Sequence, residues 1–239
     1  MSTLALVRHG QARPFTGEPD ELSPIGRRQA EILGGWWARQ GVAFDEIISG
    51  TLERQRQTAA TAIAAAREAG MECPALQTVP AWNEFDAEGV LKLVVPALAD
   101  REPGFRSLVA AFERNRGHPE QNRYFQRMFE AAMSRWSDGR VSIGGIEPWS
   151  AFRQRVRGAL KDILDGDRGS RRVLVVTSGG PIGISIQTIL EAPERTALTL
   201  NWRVRNCSIT EVLFNRDRVS LDCFNALPHL SNPELVTFR

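Results

Sequence analysis

Lysine is almost missing from this chain. Only Lys92 and Lys161 stand among its 30 basic residues, and the rest are arginines. A planar guanidinium fork can make two hydrogen bonds to one anion, which suits phosphate. Genome composition accounts for most of the bias without any function. The net charge of +2 is too small to point to nucleic acid. Cysteine is scarce as well. Cys73, Cys207 and Cys223 form no Cys-x-x-Cys pair and no metal spacing. An odd count without a secretory leader points to a reducing, cytoplasmic setting. The apolar run from Met1 to Val7 is too short for a signal sequence before Arg8 arrives. No stretch approaches ~18 consecutive apolar residues, so neither a membrane span nor a membrane partner is expected. Internal repeats and low-complexity tracts are absent too. What remains is ordinary for a globular protein. With 239 residues, 42% hydrophobic and 24% charged, the chain can bury a large core without staples.

The apolar run Leu4–Val7 stops at Arg8-His9-Gly10 and reads as a buried strand entering a loop. Ser23 is a good helix N-cap and Pro24 fits the first helical position. Ile25, Ile32, Leu33, Trp36 and Trp37 then share a face, and Gly41 closes the helix. Phe44–Ser49 reads as a second strand, and Thr51–Ala69 as an alanine-rich helix ended by Gly70. Leu76–Val79 is a third strand, followed by the loop Pro80–Glu84. This rhythm is that of a parallel sheet with crossover helices.

The middle of the chain changes character. Phe105, Leu108, Val109 and Phe112 repeat at helical spacing, as do Phe125, Met128, Phe129, Met133 and Trp136. We read a helical insertion over about residues 91–146 of a single domain spanning 1–239, with Gly139 and Gly144-Gly145 marking its exit. Another helical stripe follows Pro148, from Trp149 to Ile163. Arg172–Thr177 is the strongest strand signal, running into Ser178-Gly179-Gly180-Pro181 and a helix from about Ile182 to Leu190. Ser208–Phe214 and Val219–Phe224 read as a hairpin around Asn215–Arg218. The expected fold class is α/β: three layers, a mostly parallel sheet flanked by helices, with the helical insertion.

In open parallel sheets, ligands sit beyond the carboxyl ends of the strands. Arg8-His9-Gly10 and Ser178-Gly179-Gly180 both lie just past such ends. A lone histidine after a strand is usually unremarkable. Here Arg8 precedes it, and Gly10 permits close backbone approach. Imidazole attacks phosphorus competently when one nitrogen is free and the other is held.

At these residues the chain resembles the histidine phosphatase (phosphoglycerate mutase-like) superfamily. Leu6-Val7-Arg8-His9-Gly10-Gln11 resembles its opening motif, and Leu22 to Ala30 its first-helix signature. Thr51 to Ala59 resembles its arginine-bearing second helix, and Asn83 to Gly89 its acidic loop. Thr177-Ser178-Gly179-Gly180 resembles its last active-site segment. The matches come in family order. The resemblance implies that His9 is transiently phosphorylated and that Arg8 and Arg54 grip the phosphoryl oxygens. It implies that Glu84 protonates the leaving oxygen and then deprotonates the attacking water. Neither a cofactor nor a metal is expected. Phosphoryl transfer needs mainly positioning and neutralisation of the equatorial oxygens, which two guanidiniums supply. Otherwise Glu84 would be a solvated loop carboxylate or a partner for Arg54, and Arg54 an exposed helix charge.

One departure stands out. The family pattern places a second histidine after Thr177, where this chain has Ser178. A serine hydroxyl donates one hydrogen bond but carries no charge. Losing one preorganised donor costs roughly 10²–10³ in rate. Three readings follow: a slower phosphatase, an enzyme that borrows a donor, or a phospho-ligand binder with little turnover. His229 in the tail and His118 in a turn are the candidates for borrowing. Ser178 and Gly179 are expected at the phosphate, with backbone N–H groups of the following helix helping to hold an anion.

Arg114, Arg116, His118, Arg123 and Arg127 surround Tyr124 and Phe125 as either a substrate lid or a solvated face, with the solvated face favoured. The stripe from Phe125 to Trp136 is core or a homodimer surface. The function expected is a metal-independent phosphomonoester phosphatase acting on a phosphorylated small molecule or phosphoprotein. The alternatives are a phosphoglycerate mutase and a non-catalytic phosphate sensor. The glycolytic mutases continue the histidine motif with a serine and a Trp-Asn pair, where this chain has Gln11-Ala12-Arg13-Pro14.

Overall fold

The computed structural model describes residues 1–13, 20–141, 143–166 and 169–238; Pro14 of the segment after the histidine motif lies outside them. The chain divides into two compact units. One comprises Met1–Glu84 and Arg155–Arg239, the other Phe85–Gln154.

The first unit is built on a six-stranded sheet of order β3-β2-β4-β1-β5-β6. Strands β1 (Ser2–Arg8), β2 (Glu46–Ser49), β3 (Leu76–Thr78) and β4 (Arg172–Thr177) run parallel. The antiparallel hairpin of β5 (Ile209–Phe214) and β6 (Val219–Ala226) adds to β1. The α/β class with a mostly parallel sheet is thus the observed one. Strand β4 is inserted between β1 and β2, in a register that pairs Leu4 with Val173 and Arg8 with Thr177. The residues after Arg8 and Thr177 therefore leave the sheet side by side.

Helix α1 (Pro24–Gln40) starts and stops where its sequence requires. Ser23 Oγ accepts from the Gly26 N–H at 3.0 Å, and Gly41 adopts the left-handed region at φ 63°. Helix α2 (Glu53–Glu68) packs beside it. Leu33 and Trp37 of α1, Ala59, Ala62 and Ile63 of α2, and Val7, Ile47, Leu174 and Val176 of the sheet form one buried cluster. Phe44 joins this core, edge-on to Trp37 at 5.0 Å, but precedes the strand: the ladder of β2 begins at Glu46. Helix α8 (Gly179–Ile189) starts three residues before the expected Ile182. Its Pro181 falls in the first turn, where no backbone N–H is needed. Every residue of α8 from Gly179 to Gln187 is buried, as its nearly continuous apolar sequence demands.

The second unit is helical. Asp86 caps α3 (Ala87–Gly89), which continues through a π turn (Val90–Val94) into α4 (Val95–Arg101). The π turn precedes Pro96, whose missing N–H breaks the regular ladder. Helices α5 (Pro103–Arg114) and α6 (Gln121–Ser137) follow, then α7 (Trp149–Leu164), which passes into the first unit at Arg155. Met128, Phe129, Met133 and Trp136 of the α6 stripe are buried. Trp136 meets Phe85 at 5.6 Å and Trp149 at 5.4 Å between ring centroids. The stripe is therefore core. The arginines around His118 are exposed, and Arg116 and Arg123 pair locally with Glu113 and Glu120. That is the pattern of a solvated face.

After α9 (Thr196–Asn201) and the hairpin, the tail returns to α1. Gln29 Nε2 donates to the Leu235 carbonyl at 2.7 Å and to Thr237 Oγ1 at 2.9 Å. His229 is buried in this tail, its ring 6.1 Å from that of Trp36, and neither ring nitrogen has a hydrogen-bond partner among the described residues. Burial lowers its pKa to about 4. An unfolded chain takes up this proton as pH falls through about 6.5, whereas the folded chain resists down to about 4. Stability present above pH ~6.5 is thus lost as pH falls across that window, by about 3 kcal/mol if the ring stays buried. His229→Phe should flatten the dependence of Tm on pH between 6.5 and 4. An unchanged slope would show that this ring does not titrate with unfolding.

Candidate active site

Backbone bonds fix the loop that carries His9. Its N–H donates to the Thr177 carbonyl at 2.8 Å, while its own carbonyl accepts from Asn206 Nδ2 at 3.0 Å. The Gly10 N–H donates to Thr58 Oγ1 at 3.0 Å, which ties the loop to α2. Gly10 lies against the backbone of Gly26 in the first turn of α1. A Cβ on Gly10 would sit 2.5 Å from the Gly26 carbonyl oxygen, and one on Gly26 would sit 2.1 Å from that of Gln11. The pair of glycines lets helix and loop touch.

The imidazole is buried, and each of its nitrogens has a defined partner. Nδ1 lies 2.7 Å from the Gly10 carbonyl oxygen, which can only accept, so Nδ1 carries the proton. Nε2 accepts from Arg54 Nε at 3.1 Å, so its lone pair faces the guanidinium. Burial first, then the charges of Arg54 and Arg8, hold His9 well below the usual imidazole range. The Gly10 carbonyl pulls the other way and does not win. The ring is neutral at physiological pH, with a nucleophilic nitrogen beside a cation.

Arg54 is held from its far side. Its Nη1 pairs with Asp20 Oδ1, and Asp20 Oδ2 accepts from the Glu53 N–H at 2.6 Å. Arg8 adds its charge near His9, and one of its N–H groups donates to the Val204 carbonyl. Glu84 arrives on the loop after β3. Its Oε2 accepts from the Gly180 N–H at 3.0 Å, at the amino end of α8. Ser178 occupies the N-cap position of α8 and is fully buried, with its Oγ accepting from Gln55 Nε2 at 2.8 Å. Gly179 is buried too; a Cβ there would sit 2.3 Å from Asn201 Oδ1 of α9.

The fold thus brings His9 and Arg54 into direct contact, sets Arg8 close enough for its charge to act on the ring, and anchors Glu84 to the turn that bears Ser178 and Gly179. His229 packs on Trp36 and donates to no group among the described residues, and His118 is exposed in the α5–α6 turn, where its Nδ1 accepts from Glu120 N at 3.2 Å. Sequence reasoning missed four polar residues here: Asp20, Gln55, Arg155 and Asn206. Arg155 donates to the carbonyls of Ala81 at 2.9 Å and Asn83 at 2.8 Å, and to that of Glu84 at 3.4 Å.

A neutral buried imidazole faced by arginine thus lies at the carboxyl ends of two parallel strands of an α/β fold. The model of the histidine phosphatase superfamily (branch 1) matches residues 4–107 and 110–227, and the chain belongs to that family. No curated protein sequence matches the chain. Among solved structures it is similar to the α-ribazole phosphatase of Shigella flexneri. The TM-score is 0.63 at 19% identity, over 94% of this chain and 96% of that one. It is also similar to a mycobacterial glucosyl-3-phosphoglycerate phosphatase in complex with inorganic phosphate, with TM-score 0.63 and 21% identity over 97% and 100% of the two chains. A phosphoglycerate mutase of Bacillus anthracis gives TM-score 0.61 at 17% identity, over 95% and 94%. At these identities the structural likenesses establish the fold alone.

The geometry has a spectroscopic consequence. Ring nitrogen-15 shifts should show His9 neutral and protonated at Nδ1 throughout the range from pH 8 to 6. Arg54→Met, which removes a lowering charge, should raise its pKa. A ring protonated at Nε2 in the wild type would contradict the assignment.

Proposed function

We propose that the chain is a metal-independent phosphomonoester phosphatase that works through a phosphohistidine on His9. The observation that carries this reading is the unprotonated Nε2 facing Arg54 while Nδ1 is pinned to Gly10. Nε2 attacks the phosphorus atom as the bond to the leaving oxygen breaks. Arg8 and Arg54 neutralise the equatorial oxygens, with the Gly179 end of α8 helping to hold the anion. Glu84 gives a proton to the leaving alkoxide, then takes one from the water that attacks the phosphohistidine. The nitrogen–phosphorus bond breaks, phosphate leaves, and His9 is neutral again.

Membership of the histidine phosphatase family supports this chemistry, and the phosphatases among its structural relatives favour water as the acceptor. We read residues 1–239 as one such domain carrying a helical insertion, acting on a phosphorylated small molecule or phosphoprotein. No helix among the described residues is long and apolar enough to cross a membrane, and all three cysteines are free. A cytoplasmic setting is part of this proposal.

Turnover of p-nitrophenyl phosphate tests the reading. His9→Ala should lower kcat by on the order of 10³ or more. An acid-labile phosphoenzyme should form in the wild type and be absent from the variant. Wild type that binds phosphate yet turns over no phosphomonoester would make the chain a phosphate-binding protein. Transfer from 2,3-bisphosphoglycerate-primed enzyme to 3-phosphoglycerate, faster than hydrolysis, would make it a mutase.

A further inference from the structure

Gln55 follows Arg54 on α2 and is completely buried. Its side-chain amide donates to two oxygens, Ser178 Oγ at 2.8 Å and the Trp82 carbonyl at 3.1 Å. That carbonyl also accepts from the Thr177 hydroxyl at 2.5 Å. Two residues further along is Glu84. Arg155 holds the same segment through the carbonyls of Ala81, Asn83 and Glu84. The loop bearing the carboxyl is thus clamped through its backbone by side chains from α2, β4 and α7.

The slot for Gln55 is built. Gly50 leaves it room: a Cβ there would lie 1.9 Å from Gln55 Oε1 and 2.6 Å from Asn83 Oδ1. Ser178 stands at an N-cap position, yet its hydroxyl accepts no helix N–H. The oxygen takes the Gln55 amide hydrogen instead, and Ser178 has no exposed surface through which to meet a phosphoryl group. A histidine at position 178 would have to displace Gln55.

We propose that Gln55 is a positioning residue for Glu84, anchored by Ser178, so that the serine in place of the expected histidine serves the general acid rather than the phosphoryl oxygens. This rests on the phosphatase reading above. The amide bridges the turn before α8 to the loop before Glu84, the two segments that the Glu84–Gly180 bond also joins. Cutting the bridge frees the loop, and a displacement of about 1 Å can cost ~10² in a proton-transfer step.

The test uses leaving groups. p-Nitrophenolate departs without a proton, whereas an alkoxide needs one. Values of kcat/KM, which report transfer to the histidine, are compared for p-nitrophenyl phosphate and glycerol 1-phosphate. Gln55→Met conserves volume and removes the donor; Ser178→Ala cuts the same bond from the other side and still reads the effect if the first variant does not fold. Each should slow glycerol phosphate roughly tenfold more than p-nitrophenyl phosphate, in the manner of Glu84→Gln. The double variant should be no worse than the poorer single one. Equal slowing of both substrates, or additive effects, overturns the role given to Gln55. A wild type inactive on both substrates instead sinks the phosphatase reading, and this inference with it.

Discussion

The hydrogen bond from Arg54 Nε to His9 Nε2 can form only while that nitrogen lacks a proton, and much of the first unit serves to keep it so. The proton must then reside on Nδ1, which needs an acceptor, and the Gly10 carbonyl provides it. For that carbonyl to turn back toward its own neighbour's ring, the chain at residue 10 must press against α1. Two facing glycines make the approach sterically open. The start of α1 is then fixed in turn: Ser23 Oγ donates to Gln11 Oε1 at 2.8 Å while capping the helix through Gly26. A helix cap and an imidazole tautomer are consequences of one local geometry.

The back of the loop is held by residues nearly two hundred positions away. Asn206 Nδ2 donates to the His9 carbonyl, and Asn206 Oδ1 accepts from Thr237 Oγ1 at 2.9 Å. Thr237 Oγ1 also accepts from Gln29 of α1, whose Oε1 takes the Gln11 N–H at 2.8 Å. The network runs from the tail, through the first helix, to both sides of the histidine. Each buried polar group in it satisfies another, so removing one member leaves its partner without compensation. This couples the stability of the tail to the shape of the site.

The legible parts of this chain are those where one residue type has one local use. Ser23-Pro24 and Gly41 bound a helix, and Arg172–Thr177 is a strand, because capping chemistry and an unbroken apolar run admit few alternatives. His9 and Arg54 could be found from the motifs around them. Asp20, Arg155 and Asn206 were not legible, because a polar side chain that binds a distant backbone or guanidinium leaves no periodic trace. Gln55 did leave one. It lies four, seven and eleven residues before Ala59, Ala62 and Ala66, on the buried face of α2. A polar residue on such a face must have a buried partner. What the sequence alone could not supply was that partner's identity, since it depends on β4 reaching the same end of the sheet.

Ser178 brings no charge to the turn before α8, so the electrostatics around His9 are set by other groups. The cations beside His9 are guanidiniums, which keep their charge at any physiological pH. Asp20 offsets part of that charge at Arg54 and holds the guanidinium by its outer edge, leaving Nε for the imidazole. On the phosphatase reading, neutralisation of the phosphoryl group then does not depend on any histidine taking up a proton. Burial and two cations keep His9 neutral, and the same reading leaves Glu84 to supply the proton that a departing alkoxide needs. A site of this kind separates two tasks that an imidazolium near the phosphate would combine: charge is supplied by groups that do not titrate, and proton transfer by one carboxyl. Its rate then depends on how accurately that carboxyl is placed. On the same reading, Gln55, Thr177 and Arg155 would all bear on that placement, since each holds carbonyls of residues 81 to 84.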